Sequence, residues 1–168
     1  MTGGLRVIAS FEHDGVARRL VHLLKYRGVT AYAGMVASIL ATRLPALPLV
    51  PIPRALSRTM TYGIDPAFVI AREVSARNGQ PVIRALGAPI HTRRRAGGDH
   101  HRPPPTFGLR KSLREPVILV DDVVTTGGTI LSATNALGAD VVAIAAAANA
   151  VLEVTSLRRP AQINQGGG

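Results

Sequence analysis

The run Val117-Ile118-Leu119-Val120-Asp121-Asp122 constrains this chain more than any other. Four consecutive apolar residues read as a short buried strand. Two adjacent carboxylates cannot follow it unpaired into an apolar core, so they mark its carboxyl end. Small, hydroxylated and glycine residues come next, and a helix is expected from Thr129 to Leu137, stopped by Gly138. Val141 to Ala147 then reads as a final strand. Strand, polar turn, helix, strand is the repeat of a parallel sheet with helical crossovers.

The rest of the chain repeats this alternation. Val7 to Phe11 reads as a short strand, and Val16, Leu20, Leu23 and Leu24 mark one face of a helix from about Asp14 to Tyr26, stopped by Gly28. Ala31 to Arg43 has the helical period again, and Pro45 and Pro48 break the chain before a buried strand at Leu49 to Pro53. Asp65-Pro66 is a helix start: the carboxylate accepts from unpaired backbone N–H groups, and proline suits the first helical position. That helix is expected to reach Arg77 and end at Asn78-Gly79, with a strand at Val82 to Leu86. Residues 87–116 have almost no apolar period and carry Pro103 to Pro105. A stretch of that length in a compact domain is a functional flap or a disordered loop. The expected fold is therefore α/β: a single domain with a mainly parallel sheet flanked by helices. A small N-terminal hood occupies residues 1–45, a core with a flexible loop at 87–116 spans 46–150, and 151–168 form a tail.

Composition narrows the function classes. Hydrophobic residues make up 46% of the 168 positions and charged residues 18%, so the chain can bury a core of its own. With no cysteine, disulfides and thiolate metal sites are excluded. His91, His100 and His101 lack acids at ligand spacing and read as loop histidines. The first residues lack a signal-peptide pattern, and the longest apolar stretch, Val141 to Ala148, is far short of the ~18 residues of a membrane span. A cytoplasmic protein with no membrane partner is the expectation.

The formal net charge is +10, and eight basic residues fall between Arg84 and Arg114 against the single acid Asp99. Such an excess suits nucleic acid or a polyanionic small substrate. No base-stacking aromatic cluster and no helix-turn-helix pattern accompanies it, so nucleic acid is not favoured. Arg93-Arg94-Arg95 reads either as an exposed basic turn or as a contact for a polyphosphate.

The loop after the carboxylates carries the chemistry. In an open parallel sheet, ligands collect at the carboxyl ends of the strands. A helix N-terminus there offers N–H groups and partial positive charge to a phosphate. Thr125, Thr126 and Thr129 add hydroxyl donors, and Gly127-Gly128 lets a ligand approach the backbone. Asp121 and Asp122 cannot bind phosphate directly. Ribose hydroxyls, or a Mg²⁺ beside them, suit an acceptor-only group. An anion cradle beside a diol acceptor matches a phosphorylated ribose.

The thirteen positions Val117 to Thr129, including Val123 and Val124 between the acids and the Thr/Gly run, closely resemble the signature by which type I phosphoribosyltransferases bind 5-phosphoribosyl-1-pyrophosphate (PRPP). The wider chain resembles the ComF/GntX-type (competence-protein-like) branch. His22-Leu23-Leu24-Lys25-Tyr26-Arg27-Gly28 is similar to its LKYRG segment, Val50-Pro51-Ile52-Pro53-Arg54 to its VPxP strand, and Gly63-Ile64-Asp65-Pro66 to a GxDP variant. The resemblance implies transfer of a phosphoribosyl group from PRPP·Mg²⁺ to an acceptor, with release of pyrophosphate. Asp121 and Asp122 would hold the ribose and, indirectly, Mg²⁺; Val123 to Thr129 would hold the 5′-phosphate; Arg54 and Arg93 to Arg95 would hold pyrophosphate. It also implies a homodimer.

The chain departs from the branch in three ways. It has no four-cysteine zinc module, so no structural zinc is expected. Thr61-Tyr62 precede Gly63 where the commoner RGFNQ motif has arginine, and Arg93 to Arg95 with Pro103 to Pro105 replace the flap pattern. The alternative expectation is a non-catalytic PRPP or nucleotide sensor, or an accessory protein of DNA uptake. The identity of the acceptor is not written in any motif.

Overall fold

The computed structural model describes residues 6–12, 15, 19, 30–89 and 105–149. Among these, strands β1 (Arg6–Glu12), β2 (Leu49–Pro51), β3 (Val117–Val124) and β4 (Val141–Asn149) form one sheet, accompanied by helices α1 (Thr30–Ala41), α2 (Leu56–Tyr62), α3 (Pro66–Asn78) and α4 (Gly128–Leu137). The strand order is β1-β4-β3-β2, and every pairing is parallel. The fold is α/β, as the alternation of elements predicts.

The two inner strands are apolar without interruption because both their faces are covered. Ile118 and Val120 of β3, with Ala143 and Ala145 of β4, pack beneath Val36 and Leu40 of α1 and Ile70 and Val74 of α3. Val117 and Leu119, with Ile144 and Ala146, pack beneath Ile130, Ala133 and Leu137 of α4. Small alanines along β4 let both helical layers approach closely.

The helices also decide where the sheet opens. Beyond the outer edge of β2, Leu49 forms a parallel bridge with Val82, so the chain leaves β2 through α3 and returns farther out. From β3 it leaves through α4 on the other face and returns inward, to β4. Adjacent strands β2 and β3 thus send their chains to opposite faces. A crevice forms beyond their carboxyl ends, at a topological switch point.

Several elements differ from the sequence expectation. β3 runs past Val120 to Val124 because Asp121, Val123 and Val124 stay paired with Ala146, Ala148 and Asn149 of a longer β4. The strand expected at Val82 to Leu86 is reduced to two isolated bridges, because Ala85 N–H donates to Ile83 O (2.9 Å) and turns the chain. After that turn Leu86 pairs antiparallel with Leu109, and Gly87 N–H donates to Gly108 O at 2.7 Å. Phe107 and Leu113 pack into the α4 side of the core, so the described ends of the 87–116 loop are anchored. α2 was not expected from the sequence: none of its residues is buried, so no apolar period announces it. Within residues 1–45, the expected hood, β1 belongs to the main sheet and α1 to the core. The expected helix at 14–26 falls almost wholly outside the described residues, as does the expected tail.

Two polar side chains meet the core differently. Tyr32 is buried against Phe11, ring centroids 6.3 Å apart, and its hydroxyl has no partner among the described residues. Burial pushes its pKa up to about 12, so it stays a neutral phenol. Gln80 is buried and fully used: its amide donates to the carbonyls of Pro45 (2.5 Å) and Leu47 (2.8 Å), and its oxygen accepts from Asn78. It ties the end of α3 to the loop that feeds β2. Replacing it with leucine strands two carbonyls, so Gln80→Leu should cost about 2 kcal/mol in urea unfolding. An unchanged midpoint would show that this tie carries no stability.

Candidate functional site

The carboxylates stand where β2 ends. Ile52 N–H donates to Val120 O at 2.8 Å, and the chain then turns away toward α2. From Asp121 onward β3 is paired with β4 alone. Asp122 lies within electrostatic reach of Asp65, at the start of α3. Asp121 and Asp122 are both half-buried. Each turns one oxygen onto the next amide: Asp122 N–H donates to Asp121 Oδ1 (2.8 Å) and Val123 N–H to Asp122 Oδ1 (2.7 Å). These local bonds restrict the orientation of both carboxylates at the end of β3.

The loop that follows has an exposed rim and a buried turn. Thr125, Thr126 and Thr129 are exposed, whereas Val124 and Gly127 are buried. Gly127 occupies the N-cap position of α4 with φ 78°, a left-handed conformation that glycine adopts without a steric penalty. It supplies no side chain to cap the helix, and among the described residues no side chain bonds the cap. The first turn of α4 thus begins next to three exposed threonines in sequence, without a side-chain cap of its own. The geometry suits an oxyanion.

Across the crevice, the chain leaving β2 builds a second cluster. Asp65 caps α3, with Oδ1 accepting from Phe68 N–H (3.5 Å) and Oδ2 accepting from Arg54 N–H (3.4 Å). One carboxylate thus binds the start of α3 to the turn after β2. The Arg54 guanidinium carbon lies 5.0 Å from the centroid of the Tyr62 ring, and that of Arg84 lies 4.7 Å from Phe68. Burial raises the pKa of Asp65; the backbone donors of Arg54 and Phe68 and the charge of Arg84 oppose that shift, and the charge of Asp122 adds to it. Asp65 and Asp122 are therefore electrostatic neighbours across the crevice.

Of the residues singled out in the sequence, Asp121 to Thr129 lie together at the end of β3, and Arg54 lies at the end of the adjacent β2. Arg93, Arg94 and Arg95 fall outside the described residues. Asp65 and Tyr62 were not recognised as site residues. Asp65 carries a helix-start signature that says nothing of what it faces, and Tyr62 sits in a helix with no apolar period. Among the described residues no three ligand side chains gather into a metal cage. Two hard carboxylates suit a Mg²⁺ that arrives with a substrate's phosphates, since this ion takes one or two protein carboxylates in such sites. No protein family, curated protein or solved structure matches the chain.

The raised pKa of Asp65 has a definite sign. The fold favours its protonated form, so ionising it costs stability, and that cost grows as pH rises through its folded pKa. Asparagine keeps an acceptor at the cap and never ionises. The stability of Asp65→Asn relative to wild type should therefore improve between about pH 3 and about pH 7. Asp65→Ala, which loses the cap, should cost about 1 kcal/mol near pH 3 and less near pH 7, because it too never ionises. Chemical denaturation at both pH values checks both variants; a relative loss for the asparagine variant at the higher pH would contradict the assignment.

Proposed function

We propose that this chain binds PRPP with Mg²⁺ and transfers its 5-phosphoribosyl group to a nucleophilic acceptor, releasing pyrophosphate. One observation carries the reading: the paired carboxylates near the end of β3 and the threonine-rimmed N-terminus of α4 are joined by one short loop at the switch point of the sheet. A phosphorylated ribose offers a diol to the first and a phosphate to the second.

In this reading Thr125 to Thr129 anchor the 5′-phosphate, and Asp121 and Asp122 accept from the ribose hydroxyls. Mg²⁺, when bound, offsets the diphosphate charge. The bond from ribose C1 to pyrophosphate oxygen breaks, and its electron pair leaves with pyrophosphate. The acceptor's lone pair then forms the new bond at C1, and the acceptor proton passes to solvent. Positive charge develops on the ring and negative charge on the leaving group, so the protein's contribution is position and electrostatics. The carboxylates stabilise the ring, and Arg54 with Arg93 to Arg95 stabilise pyrophosphate.

The test is thermal unfolding with PRPP, ribose 5-phosphate and inorganic phosphate, each with and without Mg²⁺. A hundredfold excess of PRPP over Kd should stabilise the wild type by about 2.7 kcal/mol. Thr126→Leu, which crowds the cradle from an exposed position, should lose that response while remaining folded. The double change Asp121→Asn and Asp122→Asn should weaken PRPP and keep inorganic phosphate. Unchanged PRPP binding by folded Thr126→Leu would remove the reading. A wild type that binds PRPP but releases no pyrophosphate with any base or amine would be a sensor.

A further inference from the structure

Arg84 is held in a place that serves the fold poorly. Val82 bridges Leu49 in parallel and Ile83 N–H donates to Leu49 O at 2.8 Å, so this segment runs beside β2 and in its direction. It brings Arg84 toward the carboxyl end of the sheet, and the turn at Ala85 follows at once. The Arg84 guanidinium carbon lies 4.7 Å from the centroid of the Phe68 ring, and Phe68 belongs to the first turn of α3. A helix begins with a partial positive charge, so a cation beside its first turn is repelled. The attraction of the ring is of similar size. Asp65 is within electrostatic reach, but among the described residues Arg84 forms no ion pair, and the residue is exposed. Attraction of that kind adds little to stability. These effects nearly offset one another, so a neutral side chain would serve the fold as well.

We infer that Arg84 binds the diphosphate of the ligand from the β2 side of the crevice. The inference rests on the PRPP reading above and adds a residue that the sequence pattern did not assign. In PRPP the diphosphate at C1 and the 5′-phosphate stand at opposite ends of the ribose. With the 5′-phosphate at the start of α4 and the diol at Asp121 and Asp122, the diphosphate falls beyond the carboxylates, on the side of Asp65 and α3. Asp65 has to be there, because it ties the turn after β2 to α3, yet its charge repels a diphosphate. A cation within reach of Asp65 offsets that repulsion and offers N–H donors to phosphate oxygens. The Phe68 ring attracts this cation without neutralising it. Resting on the ring also restricts the guanidinium beforehand, so less rotamer freedom is lost when the ligand binds.

Two ligands isolate the effect. PRPP carries the diphosphate and ribose 5-phosphate lacks it, while both share the 5′-phosphate and the diol. Arg84→Gln should weaken PRPP about tenfold, the lower end for a hydrogen bond to a charged group, and leave ribose 5-phosphate within about twofold. Its thermal unfolding without ligand should match that of the wild type. A second comparison separates direct contact from mere screening of Asp65. In an Asp65→Asn background, which removes the charge to be screened, Arg84→Gln should still weaken PRPP about tenfold. Calorimetric titration of both single variants, the double variant and the wild type with both ligands and Mg²⁺ gives every number. If Arg84→Gln weakens both ligands equally, leaves both unchanged, or loses its effect in the Asp65→Asn background, the diphosphate contact is overturned. If the wild type binds neither ligand, the PRPP reading itself fails, a different outcome from any of these.

Discussion

β3 has eight residues and β2 has three, and the two are in register only from Leu49 to Pro51. The candidate site depends on that inequality. Had β2 kept pace, a neighbouring strand would have covered the edge of β3 at Asp121 and Asp122. Because β2 stops, the carboxylates line an opening, and the two chains diverge around it. One leads to Arg54 and the cap of α3; the other leads through the threonines to α4. Parallel pairing sets the rest, since it places both carboxyl ends on the same side of the sheet.

The crevice that results has charge of both signs in a fixed arrangement. The N-terminus of α4 and Arg54 carry the positive charge, Asp121, Asp122 and Asp65 the negative, and Asp122 acts on Asp65. Burying the Asp65 carboxylate costs energy, which its raised pKa records, and the charge of Asp122 adds a smaller share. Asp65 is retained because it serves two backbone donors at once, Arg54 and Phe68. The same residue that caps a helix thereby fixes the position of the basic side of the site.

Much of this was legible in the sequence, and the reasons are local. The apolar run at Val117 to Val120, the Asp65-Pro66 start, and the glycines at 79 and 138 each signal an element through their own chemistry, and each element formed where expected. The Asp-Asp and Thr/Gly run also marked its own place. Less legible was whatever depends on a partner strand or on tertiary placement. The extension of β3 to Val124 follows from the length of β4, which no property of residues 121–124 reveals. The loss of the strand at Val82 to Leu86 follows from a three-residue turn with no glycine or asparagine to mark it. The Tyr62 ring meets Arg54 through tertiary placement, which neither residue's neighbours in sequence show.

The proposed phosphate cradle is the N-terminus of α4. Amide NMR during titration with ribose 5-phosphate tests it most directly, because N–H groups that donate to a phosphate move strongly. The largest shifts should fall on Gly127, Gly128, Thr129 and Ile130, saturating together with a single affinity. Saturable shifts elsewhere in the molecule, with these four amides unmoved, would contradict it.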